Sequence, residues 1–349
     1  MDDFVKQPSS ERRVFFEQTA ARMRLSPQII EKDFWVCWTL KELFRLPEIG
    51  NTLIFKGGTS LSKVYRLIER FSEDIDVSLD RASLGFGGDA DPEAGGSAKE
   101  QGRRLDKLRQ ACQEKIAKHL KPSFEKVIAT KFNDATGGSV ALDEADPDKQ
   151  TLLYAYPSSW SDGPESYVRA AVKIEMGARS DHWPSEQADV SSYVAQQFPA
   201  AFKSPSFLVK ALAAERTFWE KATLLHAENH RPADKTMPLR LSRHYYDLAQ
   251  LIKSGVGQKA ASDIELLQRV VEHKKVFFRS GWAHYETAQP GSLRLSPSTD
   301  RLKALDADYD KMQEMFFGDR PTFGEILENI REWEHRFNHS PARVEGGTK

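Results

Sequence analysis

Apolar positions in this chain follow helical spacing over most of its length and strand spacing at a few short stretches. Between residues 11 and 46, aromatic and aliphatic side chains recur every three or four positions, which predicts two helices. The second helix has Pro27 in its first turn and Ser26 as its N-cap. Short apolar or alternating runs predict strands, and these runs lie at residues 52–55, 75–79, 124–130 and 167–176.

The connections and the second half of the chain have different patterns. A helical pattern over 61–71 follows the first strand, whereas residues 85–96 and 137–149 are rich in glycine and acids and predict a mobile loop and a turn. Beyond about Pro184 the helical pattern is almost continuous. Its periodic segments lie near residues 206–228, 239–254, 263–278, 300–317 and 322–337.

Strand signals therefore end near residue 185. A length of 349 residues fits two domains of ordinary size. We predict an α+β fold, with an α/β domain over residues 1–185 that carries a mixed sheet with helices and a mainly helical domain over 186–349.

Composition excludes several classes of protein. Hydrophobic residues make up 40% and charged residues 29% of the chain, as in ordinary globular proteins. The two cysteines, Cys37 and Cys112, are too few for a disulfide framework or a four-cysteine zinc site. No apolar run reaches the roughly 20 residues of a membrane span, and the acidic start differs from a secretory signal. We expect a cytoplasmic protein without a membrane partner.

A glycine-rich turn after the first predicted strand is a candidate phosphate-binding segment. Paired glycines let the backbone approach a phosphate, and hydroxyls and N–H groups at the start of a helix favour anions. The spacing of a Walker A loop is absent. The predicted nucleotide-binding residues are Lys56, Gly57, Gly58, Thr59, Ser60 and Lys63.

Two aspartates on the second predicted strand are candidate metal ligands. Asp74 and Asp76 are two residues apart, so both project from the same face. At about 6–7 Å their repulsion costs roughly 2–3 kcal/mol at an effective dielectric constant near 20. A lone pair of this kind is more often an exposed edge, but the phosphate-binding turn beside it favours a divalent metal site.

A third carboxylate is expected on a neighbouring strand. Glu175 is the best candidate, because it is an acid flanked by apolar residues in the strongest later strand. The alternative is an outward-facing residue paired with Lys173.

The segments 55–63 and 68–76 resemble the signature of AbiEii-type nucleotidyltransferase toxins. These proteins are the toxin halves of bacterial type IV toxin–antitoxin and phage-defence systems. Further similarity lies at residues 31–36, 218–221 and 243–248, so the resemblance covers roughly residues 30–250. The 85–96 loop resembles a local insertion and carries no family inference.

The resemblance implies a polymerase-β-like nucleotidyltransferase lobe followed by a helical lobe, with the active site between them. It implies catalytic roles for Asp74, Asp76, Lys221 and Asp247, with Lys221 contacting the nucleotide phosphate. It further implies Mg²⁺ or Mn²⁺ as cofactor, a nucleoside triphosphate substrate, an RNA acceptor such as the tRNA 3′ end, and a neutralising antitoxin.

Two basic stretches could line an RNA groove, because a surface that follows a nucleic-acid backbone needs clustered Lys and Arg. The residues concerned are Arg103, Arg104, Lys107, Arg240 and Arg243. A solvated helix face explains the first stretch equally well. Two rival functions stay open: transfer of a nucleotide to a protein hydroxyl, and a nucleotide-binding module without turnover.

Overall fold

The computed structural model describes residues 1–132, 137–160, 169–317 and 320–339. The chain divides into two compact units. The first comprises Met1–Arg66 and Phe71–Leu212, and the second comprises Leu67–Arg70 and Ala213–Lys349. The second unit therefore includes four residues from the middle of the first unit's sequence.

A seven-stranded mixed sheet forms the centre of the first unit. Its strands are β1 (Leu53–Lys56), β2 (Ile75–Leu79), β3 (Ser139–Leu142), β4 (Thr151–Ala155), β5 (Ala171–Gly177), β6 (Ser185–Val190) and β7 (Phe207–Leu212). The spatial order is β3-β4-β5-β2-β1-β7-β6. β2 is parallel to β5 and β1 to β7, and the other neighbours are antiparallel.

The described residues of the same unit include six α-helices. They are α1 (Ser9–Met23), α2 (Pro27–Phe44), α3 (Gly57–Lys63), α4 (Ala98–Lys115), α5 (Lys121–Phe132) and α6 (Tyr193–Gln197). α2 is buried almost all round, as its continuous run of aromatic and aliphatic residues requires. The predicted cap is confirmed, since the Ser26 side chain accepts a hydrogen bond from the Ile29 N–H.

The second unit is helical in its described part. Its helices are α7 (Ala214–Asn229), α8 (Ser242–Lys253), α9 (Val256–Ser262), α10 (Ile264–Phe277), α11 (Thr299–Asp310) and α12 (Phe323–His339). Phe218, Trp219, Trp333 and Phe337 pack ring against ring in its core. The predicted α+β class with a helical second part is confirmed.

The strand predicted at 124–130 is wrong, because these residues lie within α5. Phe124 and Ile128 are buried four positions apart, which is helical spacing on one face. A five-residue π-helix, Ile116–Leu120, joins α4 to α5. Pro122 follows it, and a proline lacks the N–H that an α-helical bond to residue 118 needs.

The prediction of continuous helix beyond Pro184 is wrong for β6 and β7. β6 is an edge strand with a mostly polar sequence, so it shows no apolar alternation. β7 is apolar and followed almost at once by α7, so its pattern merges with that of the helix. The strand signals in the sequence end near residue 185, but the strands of the sheet continue to Leu212.

Four smaller predictions also need correction or restriction. The helix predicted at 61–71 begins at Gly57 and ends at Lys63, because Arg66 adopts a left-handed conformation that no α-helix can continue through. The 137–149 turn contains β3, and the 85–96 loop contains two short 3₁₀ turns. In the strand predicted at 167–176, residues 167 and 168 lie outside the described residues.

None of the described helices is both long enough and apolar enough to cross a bilayer.

Candidate active site

The register of the central strands brings three carboxylates to one face of the sheet. Asp76 on β2 lies opposite Lys56 on β1 and opposite Glu175 on β5. Directly opposed residues of neighbouring strands project from the same face. Asp74 precedes β2 by one residue and shares the face of Asp76 through the two-residue period. The structure therefore places Glu175 beside the aspartates, while its role as a ligand stays a prediction.

The electrostatics of this face are dominated by repulsion between acids. Burial, followed by the charges of Glu175, Glu73 and Asp76, raises the pKa of Asp74 to about 6. Lys173 is the cation that opposes this rise. Three carboxylates held this close favour either a proton or a cation among them.

Lys173 is bound to the third carboxylate. Its Nζ lies 2.5 Å from Glu175 Oε1. Burial alone would lower the pKa of Lys173, but the hydrogen bond to Glu175 and the charges of Glu175, Asp74 and Asp143 raise it. The alternative considered for Glu175, pairing with Lys173, thus coexists with its place beside Asp76.

Gly57 brings the backbone into direct contact with Asp76. Gly57 is the first residue of α3 and has a φ of +78°. A Cβ built on it would lie 2.1 Å from Asp76 Oδ2, inside any permitted contact. The first glycine of the turn is therefore required both by its conformation and by the close approach of the catalytic-strand carboxylate.

The two hydroxyls of the turn face the protein. Thr59 Oγ1 lies 2.9 Å from Ser72 Oγ and donates to the Asp74 carbonyl, and Ser60 Oγ donates to the Gly57 carbonyl. Both residues are completely buried. Thr59 thus fixes the segment that leads into β2, and the predicted phosphate contact of this turn falls to Lys56 and to the backbone N–H groups at its half-exposed start.

Lys63 is also directed inward. It is 7% exposed, forms an ion pair with Asp33 of α2 and lies 3.4 Å from the ring centroid of Tyr193. Asp33 in turn accepts a hydrogen bond from the Tyr193 N–H. Lys63 therefore connects α3 to α2 and α6, and its predicted nucleotide contact has no support in this geometry.

Sequence reasoning assigned no role to three consecutive charges near the start of α2. Glu31, Lys32 and Asp33 are 2%, 4% and 2% exposed. Glu31 accepts hydrogen bonds from the loop after β4. Lys32 Nζ lies 3.1 Å from Glu73 Oε2 and donates to the Ala171 carbonyl at the start of β5. Lys32 thus joins the strand of Glu175 to the residue before Asp74. The available signal was a run of three charges directly before the apolar segment Phe34–Trp38 of the same helix.

In the second unit, Asp247 lies at the centre of a buried ion triad. Arg70 donates two hydrogen bonds to its two oxygens, from Nε and Nη2, each at 2.8 Å, and Lys221 Nζ lies 2.9 Å from Oδ2. Asp247 is completely buried. Burial alone would raise its pKa, but Arg70 and Lys221 hold the pKa of Asp247 well below its usual range.

This geometry changes the interpretation of Asp247. Both of its oxygens are engaged, so it is placed to orient Lys221 rather than to bind a metal ion. Lys221 also lies 3.5 Å from His244 Nδ1, and burial followed by the charge of Lys221 lowers the pKa of His244 well below its usual range. Arg70, which sequence reasoning did not single out, is the principal partner of Asp247.

The predicted RNA-binding cations differ in their availability. Arg104 binds Glu100 on its own helix and the carbonyls of Asp89 and Asp91 in the inserted loop, so it anchors that loop to α4. Arg103 and Lys107 on the same helix are exposed. In the second unit Arg240 is exposed and Arg243 is half-buried.

The donor set of the acidic face suits a hard divalent cation. Carboxylate oxygens are the ligands that Mg²⁺ takes, usually one or two of them completed by phosphate and water. Among the described residues, no three acidic, histidine or cysteine side chains already converge as a complete cage. Asp74 and Asp76, with Glu175 once it leaves Lys173, fit a site that a nucleotide completes.

Comparisons with family models and with solved structures each find a similar protein or family. The family model described as "Nucleotidyl transferase AbiEii toxin, Type IV TA system" matches residues 38–329. Among solved structures, the chain is similar to MenT4, a nucleotidyltransferase toxin from Mycobacterium tuberculosis, with 16% identity and a TM-score of 0.41. That alignment covers 93% of this chain and 97% of the MenT4 chain. No curated protein is significantly similar in sequence.

Replacing Gly57 by alanine should displace the Asp76 carboxylate, because the new Cβ has no room beside Oδ2. We expect divalent-ion binding to weaken by at least about tenfold, since a shift of about 1.4 kcal/mol suffices. Mn²⁺ titration measures the effect. Gly102→Ala is the matched control, because Gly102 has open space around it within α4. Equal Mn²⁺ affinity in the two variants would contradict the contact.

The raised pKa of Asp74 makes the metal-free protein sensitive to pH. Its contribution to stability is present below about pH 4 and is lost as pH rises through 6, because the folded state holds the proton more strongly. In EDTA, Asp74→Asn should therefore stabilise the protein at pH 8 by about 3 kcal/mol. Urea unfolding at pH 5 and pH 8 checks this, with the exposed Glu144→Gln as control. A destabilised Asp74→Asn at pH 8 would refute the assignment.

Asp247→Asn should destabilise the second unit by about 3–5 kcal/mol, because it leaves two buried cations without their carboxylate. Chemical unfolding followed by far-UV circular dichroism measures the loss. Asp310→Asn, which breaks an exposed pair with Arg320, should cost no more than about 1 kcal/mol. An Asp247→Asn protein of unchanged stability and no activity would instead indicate direct contact with substrate.

Proposed function

Because the chain belongs to the AbiEii family of nucleotidyltransferase toxins from type IV toxin–antitoxin systems, we propose that it modifies RNA by magnesium-dependent nucleotide transfer. The acceptor is the 3′ end of tRNA, and its modification stops translation. The donor is a nucleoside triphosphate, and the toxin is held inactive by a cognate antitoxin.

The observation that carries the proposal is the acidic face formed by Asp74, Asp76 and Glu175. A module that only binds a nucleotide gains nothing from three mutually repelling carboxylates. Phosphoryl transfer needs the negative charge on the attacking and leaving oxygens to be neutralised, and carboxylates can hold the cations that do this. Gly57 supports this reading, since it holds the start of α3 against Asp76 and so sets a phosphate-binding helix end beside the acids.

The proposed reaction forms one bond and breaks one. The oxygen of the acceptor 3′ hydroxyl attacks the α-phosphorus, the bond to the β-phosphate breaks, and pyrophosphate leaves with its electron pair. The hydroxyl proton passes to a carboxylate of the acidic face. Bound Mg²⁺ supplies charge neutralisation and a lowered pKa for the attacking hydroxyl. The residues of the chain contribute positioning and fixed charge.

Within the second unit, Lys221 contributes a cation for the nucleotide phosphate. Asp247 and Arg70 are positioning residues in this scheme: Arg70 fixes Asp247 with two hydrogen bonds, and Asp247 fixes Lys221. Arg103 and Lys107, together with Arg240 and Arg243, supply the positive charge that an RNA backbone requires.

The test is transfer of radiolabel from each α-³²P-labelled nucleoside triphosphate to total cellular RNA in the presence of Mg²⁺. We expect label in tRNA-sized RNA with the wild type, and a loss of at least about a hundredfold with Asp76→Asn, because charge neutralisation typically contributes this much. Asp89→Asn is the matched control, since Asp89 is an exposed aspartate in the inserted loop. It should transfer label at the wild-type rate.

Other outcomes separate the rival functions. Label in protein bands rather than RNA would assign a protein hydroxyl as acceptor. Saturable nucleotide binding without pyrophosphate release on any RNA or protein acceptor would assign a binding module. Transfer that survives in Asp76→Asn would place the active site elsewhere in the chain.

A further inference from the structure

Lys173 stands inside the acidic face rather than beside it. It is two residues before Glu175 on β5, so the two side chains share a face, and their Nζ and Oε1 atoms are 2.5 Å apart. Ile75 lies opposite Ile174 in the parallel β2–β5 pair. Asp74, which precedes Ile75, is therefore level with Lys173, just as Asp76 is level with Glu175. One cation and three carboxylates form the corners of one patch.

The same lysine faces an open cavity of about 400 Å³. Its lining includes Lys173, Glu175 and the acidic loop between β3 and β4, with Asp143, Asp146 and Asp148. Among the described residues that line this cavity, Lys173 is the single cation. Solvent, ions and a substrate can therefore reach the Lys173–Glu175 pair.

The Lys173–Glu175 ion pair is weak enough to be broken when a ligand binds. The two side chains are 38% and 42% exposed, and an ion pair with that exposure contributes little to stability because water screens it. The Lys32–Glu73 pair, which connects α2 to the residue before Asp74, has by contrast one partner that is almost completely buried. The Lys173–Glu175 pair is the weaker of the two, so its importance lies in what Glu175 does when it is free.

We propose that Lys173 is the built-in counter-ion of the metal site, which holds Glu175 while no divalent ion is present and releases it when metal and nucleotide arrive together. The proposal rests on the proposed function, because it requires a divalent ion at the aspartates. A divalent ion alone must displace the ammonium from Glu175 and therefore binds weakly. A triphosphate offers the displaced ammonium a new anion, so nucleotide and metal bind cooperatively.

The experiment measures Mn²⁺ binding to the full-length protein by electron paramagnetic resonance, with and without an α,β-methylene nucleotide that cannot react. Lys173→Met keeps the aliphatic stem and removes the charge, and Lys173→Arg keeps the charge. Without nucleotide we expect Lys173→Met to bind Mn²⁺ about threefold more tightly than the wild type, as the loss of one exposed ion pair allows, and Lys173→Arg to match the wild type. With nucleotide the advantage of Lys173→Met should disappear.

Glu175→Gln separates release of Glu175 from simple repulsion of the ion by a nearby lysine. If Lys173 acts by holding Glu175, adding Lys173→Met to Glu175→Gln should leave Mn²⁺ affinity unchanged. An equal threefold gain in that background would overturn the proposal, because the effect would then act through space.

Asp76→Asn separates failure of this inference from failure of the proposed function. Equal Mn²⁺ affinity in wild type and Lys173→Met, with loss of binding in Asp76→Asn, would overturn the counter-ion role and leave the metal site intact. Mn²⁺ binding that Asp76→Asn does not change would overturn both, since the ion would then lie elsewhere.

Discussion

The first unit is organised around one constraint, which is the repulsion between the carboxylates on one face of its sheet. The β2–β5 register sets Asp76 against Glu175, and the two-residue period adds Asp74. A sheet does not favour such a face by itself, so the surrounding residues have to hold it. Thr59 fixes the entry to β2, Gly57 leaves room for the Asp76 carboxylate, and Lys173 supplies the opposing charge.

Buried charge pairs provide the rigidity that this arrangement needs. Lys32 reaches both Glu73 and the start of β5, and Asp33 holds Lys63 at the end of α3. Each such pair is costly to desolvate and specific in geometry, so it favours one arrangement over its alternatives more than it adds stability. The triad around Asp247 follows the same principle in the second unit, where it gives Lys221 a fixed orientation.

The parts of this molecule that sequence predicts are those in which one local rule decides the outcome. The cap of α2 and the shared face of Asp74 and Asp76 each follow from spacing within a few residues, whereas the loop predicted at Lys56–Ser60 is already the start of α3. The adjacency of Glu175 required a guess about strand order, which spacing does not contain. The pattern at 124–130 predicts a strand although these residues form part of α5, because Val127 and Ile128 occur in strands as well as in helices. The feature that distinguishes the helix is the buried face that Phe124 shares with Ile128.

Side-chain direction is where sequence reasoning failed for the site. Thr59, Ser60 and Lys63 have the right chemistry for phosphate, yet their hydroxyls and ammonium are turned into the protein. The role of Arg70 cannot be predicted from local spacing, because its partner Asp247 lies 177 residues away in the sequence. Long-range ion pairs leave no periodic signal, so spacing alone can suggest the candidate carboxylates but not the residues that position them.

The second unit includes Leu67–Arg70, from the sequence that leads into Asp74, and this affects the order of folding during synthesis. During synthesis, Arg70 leaves the ribosome long before Asp247, and it stays without that buried carboxylate for the time needed to make the intervening chain. The residues directly ahead of β2 are therefore fixed late, only after the helices that carry their partners have been made.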